Sequence, residues 1–312
     1  MDKVICRACN EEFETEASLH KHIKKHNVRL AEYYQTYWPR YDKFDGKIIR
    51  FRNKEQYFQT DFNSRENLKA WVKTADPITV RAYCKAKLEE RIARKNLVWT
   101  PSQVELRTVL LPPIQCYNDL FGNYYALCEE LGLKNRFNPN GAFLTTSPSP
   151  DYTIYVDTRE QRPLKFPTKP SEPKALKFAD YACSNHDLTC KCYIERKSAS
   201  DFAGTFSGGV ERFCRELDRA VAADAYVVVL VEDTLVHCQD FSRQPVMYTM
   251  KRKANPDFIF HNVRDIIQKY SNVQFLFVNG REKAAEIVEK IFESQCTYKD
   301  VDLQLLYDLG SL

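Results

Sequence analysis

A chain of 312 residues is long for one domain, and 44% hydrophobic with 13% aromatic residues is enough to bury a sizeable core. That balance excludes a disordered chain, the lack of an apolar run near the roughly 18 residues of a helical span excludes a membrane helix, and a charged N-terminus without a signal peptide sets the expectation of an intracellular protein. Eleven cysteines, an odd number scattered along the chain, read as mostly free thiols in a reducing compartment plus one metal site.

The metal site opens the chain. Cys6 and Cys9 are followed by His22 and His26, with Phe13 and Leu19 between them, a C-x2-C-x3-F-x5-L-x2-H-x3-H pattern. A tight cysteine turn and two histidines one helical turn apart present four N and S ligands in a tetrahedron, and the metal supplies folding energy that so small a core lacks. The spacing resembles the two-cysteine, two-histidine zinc finger, so residues 1–27 are expected to form a ββα unit holding structural Zn2+. Docked as such fingers dock, it would turn Thr15, Ser18 and Lys21 toward bases. None of these is an arginine poised for guanine, so a structural or protein-contacting finger stays open beside a DNA-contacting one.

Residues 28–137 read as mainly helical. The stretch from Gly46 to Phe58 suggests a short strand and turn, and Ser64 caps a helix beginning at Arg65. Val80, Cys84, Leu88 and Ile92 recur every four residues and make an apolar stripe on a helix whose first turn suits Pro77, capped by Asp76. The net charge of +4 is concentrated here: between Arg40 and Lys95 there are 15 basic and 8 acidic residues, whereas residues 151–312 hold 22 basic and 24 acidic. Arg81, Lys85, Lys87 and Arg91 lie off the stripe and are expected to face a polyanion. Tyr33, Tyr37 and Tyr41 with Trp38 read either as core at helical spacing or as a base-stacking face.

Residues 138–150, rich in Asn, Gly, Ser and Pro, read as a linker. Beyond it the pattern changes to apolar, β-branched runs at Tyr152–Asp157, Ala225–Glu232 and Val273–Val278, with helical text between the later ones. That alternation predicts an α/β domain over 151–312 with a largely buried sheet. The segment from Asp180 to Lys197 reads as two strands joined by a turn at 185–187, which would bring Asp180 back beside Glu195. Strand alternation then puts Glu195 and Lys197 on one face and Arg196 on the other. Cys183, Cys190 and Cys192 in this hairpin read as small buried hydrophobes rather than a second metal site.

A carboxylate pair with a lysine is what phosphodiester hydrolysis needs: hard oxygens for Mg2+ or Mn2+ and a cation to orient water. "VDTRE" at 156–160, an Asp-Tyr pair at 180–181 and Glu-Arg-Lys-x-x-x-Asp at 195–201 together resemble the nuclease domain of the XPF-type family, which includes excision-repair, Mus-type and Hef-type endonucleases cutting branched or flapped DNA. "FAGTFSGGVERFCRELDRA" resembles the helical stretch that follows there, with Arg212 at the place of a family arginine. The resemblance spans roughly 151–293. It implies a restriction-endonuclease-like PD-(D/E)xK fold, Asp180 and Glu195 as metal ligands and Lys197 as the water-orienting lysine. Asp157 and Glu160 would support the metal or the water, and Arg196 and Asp201 would brace the site. The departures are Ala179 where the family has glycine, expected to be tolerated on a strand, and the lack of a tandem helix-hairpin-helix module.

The resulting expectation is a DNA endonuclease in a repair-like setting, gripping DNA through Lys21, Arg81, Lys85, Lys87, Arg91 and Arg212, with homo- or heterodimerisation through the nuclease domain left open. Structure-selective and sequence-directed, homing-like cutting both fit. So does a non-catalytic DNA-binding scaffold, although Asp180, Glu195 and Lys197 are all present, where a dead copy typically loses one. An RNA substrate is a further alternative.

Overall fold

Residues 3–138, 151–185, 191–240 and 255–312 are described by a computed structural model, and the chain divides into two units, Met1–Cys84 and Lys85–Leu312. In the first unit β1 (Val4–Ile5) and β2 (Glu12–Phe13) pair antiparallel with Val4 opposite Phe13. Thr15 caps α1 (Glu16–Ile23) by accepting from the Ser18 amide. The finger is not a separate bead. Cys6, Leu19 and Ile23 are buried in one core with Tyr33 and Tyr34 of α2 (Leu30–Tyr37), Ile49 and Tyr57. Tyr33 and Tyr34 are therefore core, whereas Tyr37 and Tyr41 are exposed.

The stretch expected to be a strand and turn contributes only a bridge between Tyr41 and Ile48. Asn53 accepts from the Gln56 amide and starts α3 (Lys54–Gln59), so a local cap overrides the β-like text. Ser64 caps α4 (Arg65–Thr74), and Asp76 accepts from the Thr79 amide at the start of α5 (Pro77–Lys95). The stripe on α5 is as read: Val80, Cys84 and Leu88 are buried and Ile92 is half-buried.

The second unit begins earlier than the sequence suggested. After α5 come α6 (Gln103–Arg107), α7 (Ile114–Phe121) and α8 (Tyr124–Glu130). They belong with the C-terminal half, because their polar anchors lie there. The Gln103 amide and side chain donate to Asp302 and Asp308, Arg107 pairs with Asp308, and Arg136 donates to the carbonyls of Ile267, Tyr270 and Val273. Of the expected linker only Asn138 is described; the rest lies outside the described residues.

The sheet holds β3 (Ile154–Asp157), β4 (Ser171–Lys174), β5 (Tyr181–Cys183), β6 (Cys192–Lys197), β7 (Tyr226–Val231) and β8 (Val273–Phe277), ordered β4-β3-β5-β6-β7-β8. β3, β5 and β6 pair antiparallel, while β6, β7 and β8 run parallel. Every residue of β7 and β8 is buried, as expected of parallel strands covered on both faces. One face carries Val227, Val229, Val231, Phe275 and Phe277 against α9 (Ala199–Gly208), α10 (Val210–Ala222) and α12 (Pro256–Lys269), with α11 (Leu235–Gln239) alongside. The other carries Ile154, Ile194, Val228, Leu230 and Leu276 against α13 (Gly280–Glu293) and α14 (Leu303–Asp308). This mixed α/β architecture is the expected restriction-endonuclease-like class. Cys183 and Cys192 are buried free thiols whose pKa burial pushes to about 11 and about 12; Cys190 lies outside the described residues.

Candidate active site and metal centre

Strand register assembles the site. Val156 pairs with Tyr181 and Tyr181 with Ile194, so one step beyond them Asp157, Asp180 and Glu195 form a row across three strands. The Asp157 amide donates to the Asp180 carbonyl at 2.8 Å and the Asp180 amide to the Ile194 carbonyl at 3.0 Å. Because side chains alternate, the row lies on the α9–α10 face, opposite Ile194 and its core. The hairpin expected around 180–197 is present as the β5–β6 pair; part of its turn, 186–190, lies outside the described residues.

The members of the row differ in how they are held. Asp157 is buried and both its oxygens are engaged: Oδ1 accepts from the Arg159 amide and Nε, and Oδ2 from Arg159 Nη2 and the Leu176 amide. Burial raises its pKa, but the Arg159 guanidinium and the two amides outweigh it and hold the carboxyl below its usual range. Asp180 is the reverse. Burial, then the neighbouring Glu195 carboxylate, pushes it up to about 7, although the Arg196 amide donates to its Oδ2 at 2.8 Å. Burial also raises Glu195, with Lys197 opposing. Lys197 Nζ lies 2.8 Å from Glu195 Oε1 and 5.4 Å from the centre of the Phe213 ring on α10. Lys197 is bonded to Glu195 and not to Asp180, and burial leaves both carboxylates raised despite it.

On the opposite face Arg196 is saturated. It donates to both oxygens of Glu160 at 3.0 Å and to Glu232 at 3.0 Å, and Arg281 pairs with Glu232 at 3.2 Å. Burial works against the guanidinium's charge, but Glu232 and then Glu160 more than offset it and raise its pKa. Glu160 therefore sits with Arg196 behind the sheet and not beside Glu195 and Lys197. Asp201 caps α9 with Ser198, whose hydroxyl donates to it at 2.7 Å. Arg212 is exposed on α10.

Three residues were not singled out from sequence. Glu232 and Arg281 became visible only through the β6–β7 pairing and α13. Glu216 on α10 lines the same crevice as Ala179, Glu195 and Phe213 and adds to the negative field on Glu195. Its signal in the text was weak, one acid among several on an amphipathic helix.

Residues 144–291 match the family model of the ERCC4 domain. The chain carries an ERCC4 domain. This is a nuclease-family domain of restriction-endonuclease-like fold, and the row of Asp157, Asp180 and Glu195 falls inside it. Among solved structures, the chain is similar to XPF from Aeropyrum pernix, at 22% identity over 51% of this chain and 72% of that chain, with a TM-score of 0.32. It is similar also to the Aeropyrum pernix XPF in complex with DNA, at 21% identity over 51% and 73%, again with a TM-score of 0.32. No curated protein matches the chain. The ERCC4 domain ends before α14, so α6–α8 and α14 are packed onto it from both sides in sequence.

Far from the ERCC4 domain in sequence, Cys6, Cys9, His22 and His26 converge, with their ligand atoms all within 4.8 Å of one another. Cys6 Sγ is 3.6 Å from His26 Nε2, Cys9 Sγ 3.2 Å from His22 Nε2, and the two Nε2 atoms are 2.9 Å apart. A tetrahedral Cys2His2 centre has edges of about 3.3–3.8 Å, so the four atoms fit one ion with little movement. Glu11 lies 3.4 Å from His22 Nδ1, where an outer carboxylate orients a ligating imidazole. Thr15 and Ser18 are occupied with each other, hydroxyl to hydroxyl at 3.0 Å, while Lys21 is exposed. Arg81 and Lys85 are exposed on α5, Lys87 pairs with Glu90 at 3.0 Å, and Arg91 is buried near Glu105. The expectation that Arg91 faces a polyanion is corrected by that burial.

Proposed function

We propose that the protein is a metal-dependent DNA endonuclease whose ERCC4 domain hydrolyses phosphodiester bonds, structure-selectively on branched or flapped DNA. The observation that carries the reading is the juxtaposition of Asp180, Glu195 and Lys197 on one face of the sheet. Two partly buried carboxylates, one of them bonded to Lys197, form a hard-oxygen site short of positive charge, which suits Mg2+ or Mn2+ completed by water and phosphate oxygens. Among the described residues these side chains offer two ligands and not a closed cage, as an open catalytic site requires. When bound, the cation supplies polarisation of the phosphate and a lowered pKa for water.

The chain's own residues do the rest. Lys197, held at 2.8 Å from Glu195 Oε1, would donate to the attacking water or to a non-bridging phosphate oxygen and so orient the attack. Asp157 fixes the turn after β3 through Arg159 and Leu176, a positioning role. Arg196 with Glu160, Glu232 and Arg281 stiffens the far side of β6 so that Glu195 and Lys197 keep their registry. Asp201 starts α9 at the site's edge. Lys21, Arg81, Lys85, Lys87 and Arg212 contribute phosphate contacts, which fix position without reading sequence. The finger holds Zn2+ as a structural ion, and with Thr15 and Ser18 tied up in its cap it adds backbone contact through Lys21.

The test is cleavage by purified full-length protein of labelled duplex, single strand, flap, fork and Holliday junction, each with and without Mg2+. Matched RNA substrates and Glu195→Gln run alongside. Cleavage of branched DNA by the wild type, lost in the variant, is the expected result. A wild type that binds DNA yet leaves every substrate and a genomic library uncut would replace this reading with that of a binding scaffold.

A further inference from the structure

We infer that the Tyr41–Ile48 hairpin of the first unit is a stacking element for unpaired bases, an inference that rests on the DNA-directed reading above. The hairpin closes through the Tyr41–Ile48 bridge, with the Asp42 amide donating to the Lys47 carbonyl at 2.7 Å and the Gly46 amide to the Asp42 carbonyl at 3.0 Å. Gly46 has φ 68°, a left-handed turn position where glycine is at ease. The base of the loop is pinned from below. Asp42 is buried and its carboxylate accepts from the Phe44 amide, the Asn63 amide and Asn67 Nδ2, while Arg40 binds Asp61 and the Thr60 carbonyl.

This anchored loop carries apolar side chains outward. Tyr41 is 60% exposed, Phe44 45% and Ile48 44%, three large hydrophobic groups in eight consecutive residues. Folding normally hides such groups; here the backbone is held by its own polar contacts and the side chains are left in water. Interleaved with them are the exposed cations Lys43, Lys47 and Arg50, Lys47 pairing with Asp45 of the loop at 3.1 Å, and the ten residues from Tyr41 to Arg50 contain no Asn or Gln to read base edges. A protein-binding patch is depleted in lysine at its centre, whereas aromatic rings alternating with cations match bases and phosphates along a single strand. A fixed loop also loses little conformational entropy on binding. The occupant is therefore a single-stranded segment of DNA, gripped without sequence preference.

The experiment measures binding by full-length protein in a Glu195→Gln background without added Mg2+, so that cleavage does not intervene. A labelled single strand, its duplex and a fork are titrated against the parent and Tyr41→Ala/Phe44→Ala. Stacking changes affinity by about 5- to 150-fold per base, so the double variant, which removes two rings, should lose at least about 5-fold on single strand and fork and change less than about 3-fold on duplex. Tyr41→Trp keeps a ring and should retain binding, with its fluorescence quenched by the strand. Lys43→Ala/Lys47→Ala should lower the single-strand salt slope by about 1.4. A double variant with unchanged circular dichroism and zinc content that binds every DNA as the parent does overturns the inference while leaving the nuclease reading intact. A parent that binds no DNA brings both down.

Discussion

The finger and the sheet each gather ligand-type side chains, and they do so in opposite ways. At the finger four ligand atoms from one short segment lie within 4.8 Å of one another, so the protein closes every corner. At the sheet two carboxylates come from neighbouring strands, one of them bonded to Lys197, and under the proposed function the cation's remaining positions would fall to solvent and substrate. With Zn2+ bound the first arrangement would supply folding energy; the second is held by the rest of the fold, and burial disfavours the charge of both its carboxylates. The difference predicts a crossed outcome. Asp180→Asn or Glu195→Gln should lower cleavage by about a thousandfold or more while the protein stays folded. Cys9→Ala should unfold the finger and, because Cys6, Leu19 and Tyr33 share one core, loosen α2 as well, seen as changed tryptophan emission from Trp38. A carboxylate variant that fails to fold, or a cysteine variant that leaves the first unit intact, would break the contrast.

A second comparison lies across β6 itself. Arg196 faces Glu160 and Glu232, all with side chains at most 11% exposed, and the charges close. Removing the arginine takes away Glu160's ion pair and leaves Glu232 to Arg281 alone, so Arg196→Ala should cost about 3–5 kcal/mol in denaturant unfolding. Arg196→Lys should recover only part of that, because one ammonium cannot reproduce a two-oxygen grip on Glu160 and a bond to Glu232. If Arg196→Ala proves as stable as the parent, the network does not brace the site.

Much of this was legible in the text, for reasons that differ by element. The finger could be read because six positions at fixed spacing define it. The helix over Pro77–Lys95 and the strands β7 and β8 could be read because each repeats one environment, an apolar stripe or full burial, over many residues. Asp180 beside Glu195 followed from strand alternation and a hairpin. What was hidden depends on contacts between distant segments. Gln103 meets Asp302 and Arg136 meets the β8 end of α12, so the boundary placed at 137 falls inside the second unit. Glu232 meets Arg196 only because β6 and β7 are parallel neighbours. Arg91 sits on the same helix as exposed cations, and only the packing of the second unit buries it.

The unbalanced face also predicts a pH dependence. Asp180 has a folded pKa raised to about 7 by burial and by Glu195, above the usual unfolded value near 3.9. A raised group contributes its stability below the unfolded pKa and loses it as pH rises through the folded one. Metal-free protein should therefore weaken between about pH 4 and about pH 7, and Asp180→Asn should escape that loss. The variant's advantage in urea unfolding should grow across this window to on the order of 2–4 kcal/mol. Adding Mg2+ at pH 8 should stabilise the parent and not the variant. An advantage that is flat with pH would mean that Asp180 is no more destabilised as an anion than an exposed carboxylate.

The smallest effect concerns the residue before Asp180. Ala179 was expected to sit on a strand, where its methyl costs nothing, but its φ is 60°, in the left-handed region. An alanine there costs about 1–2 kcal/mol. Replacing it with glycine removes that cost but loosens the unfolded chain, worth about 0.4–1 kcal/mol in the other direction, and takes a buried methyl away from Phe178, Phe213 and Leu217 in the crevice. With the buried methyl worth about 0.8 kcal/mol, the terms nearly cancel, so Ala179→Gly should shift Tm by less than about 3 °C for a unit of this size. Cleavage should be unchanged or improved, since the substitution eases the backbone that presents Asp180. A fall in Tm would mean that the methyl's packing beside Glu195 and Glu216 outweighs the left-handed strain. In that case alanine would be holding the crevice closed, and Ala179→Ser, which keeps a side-chain atom there, should be less damaging than glycine.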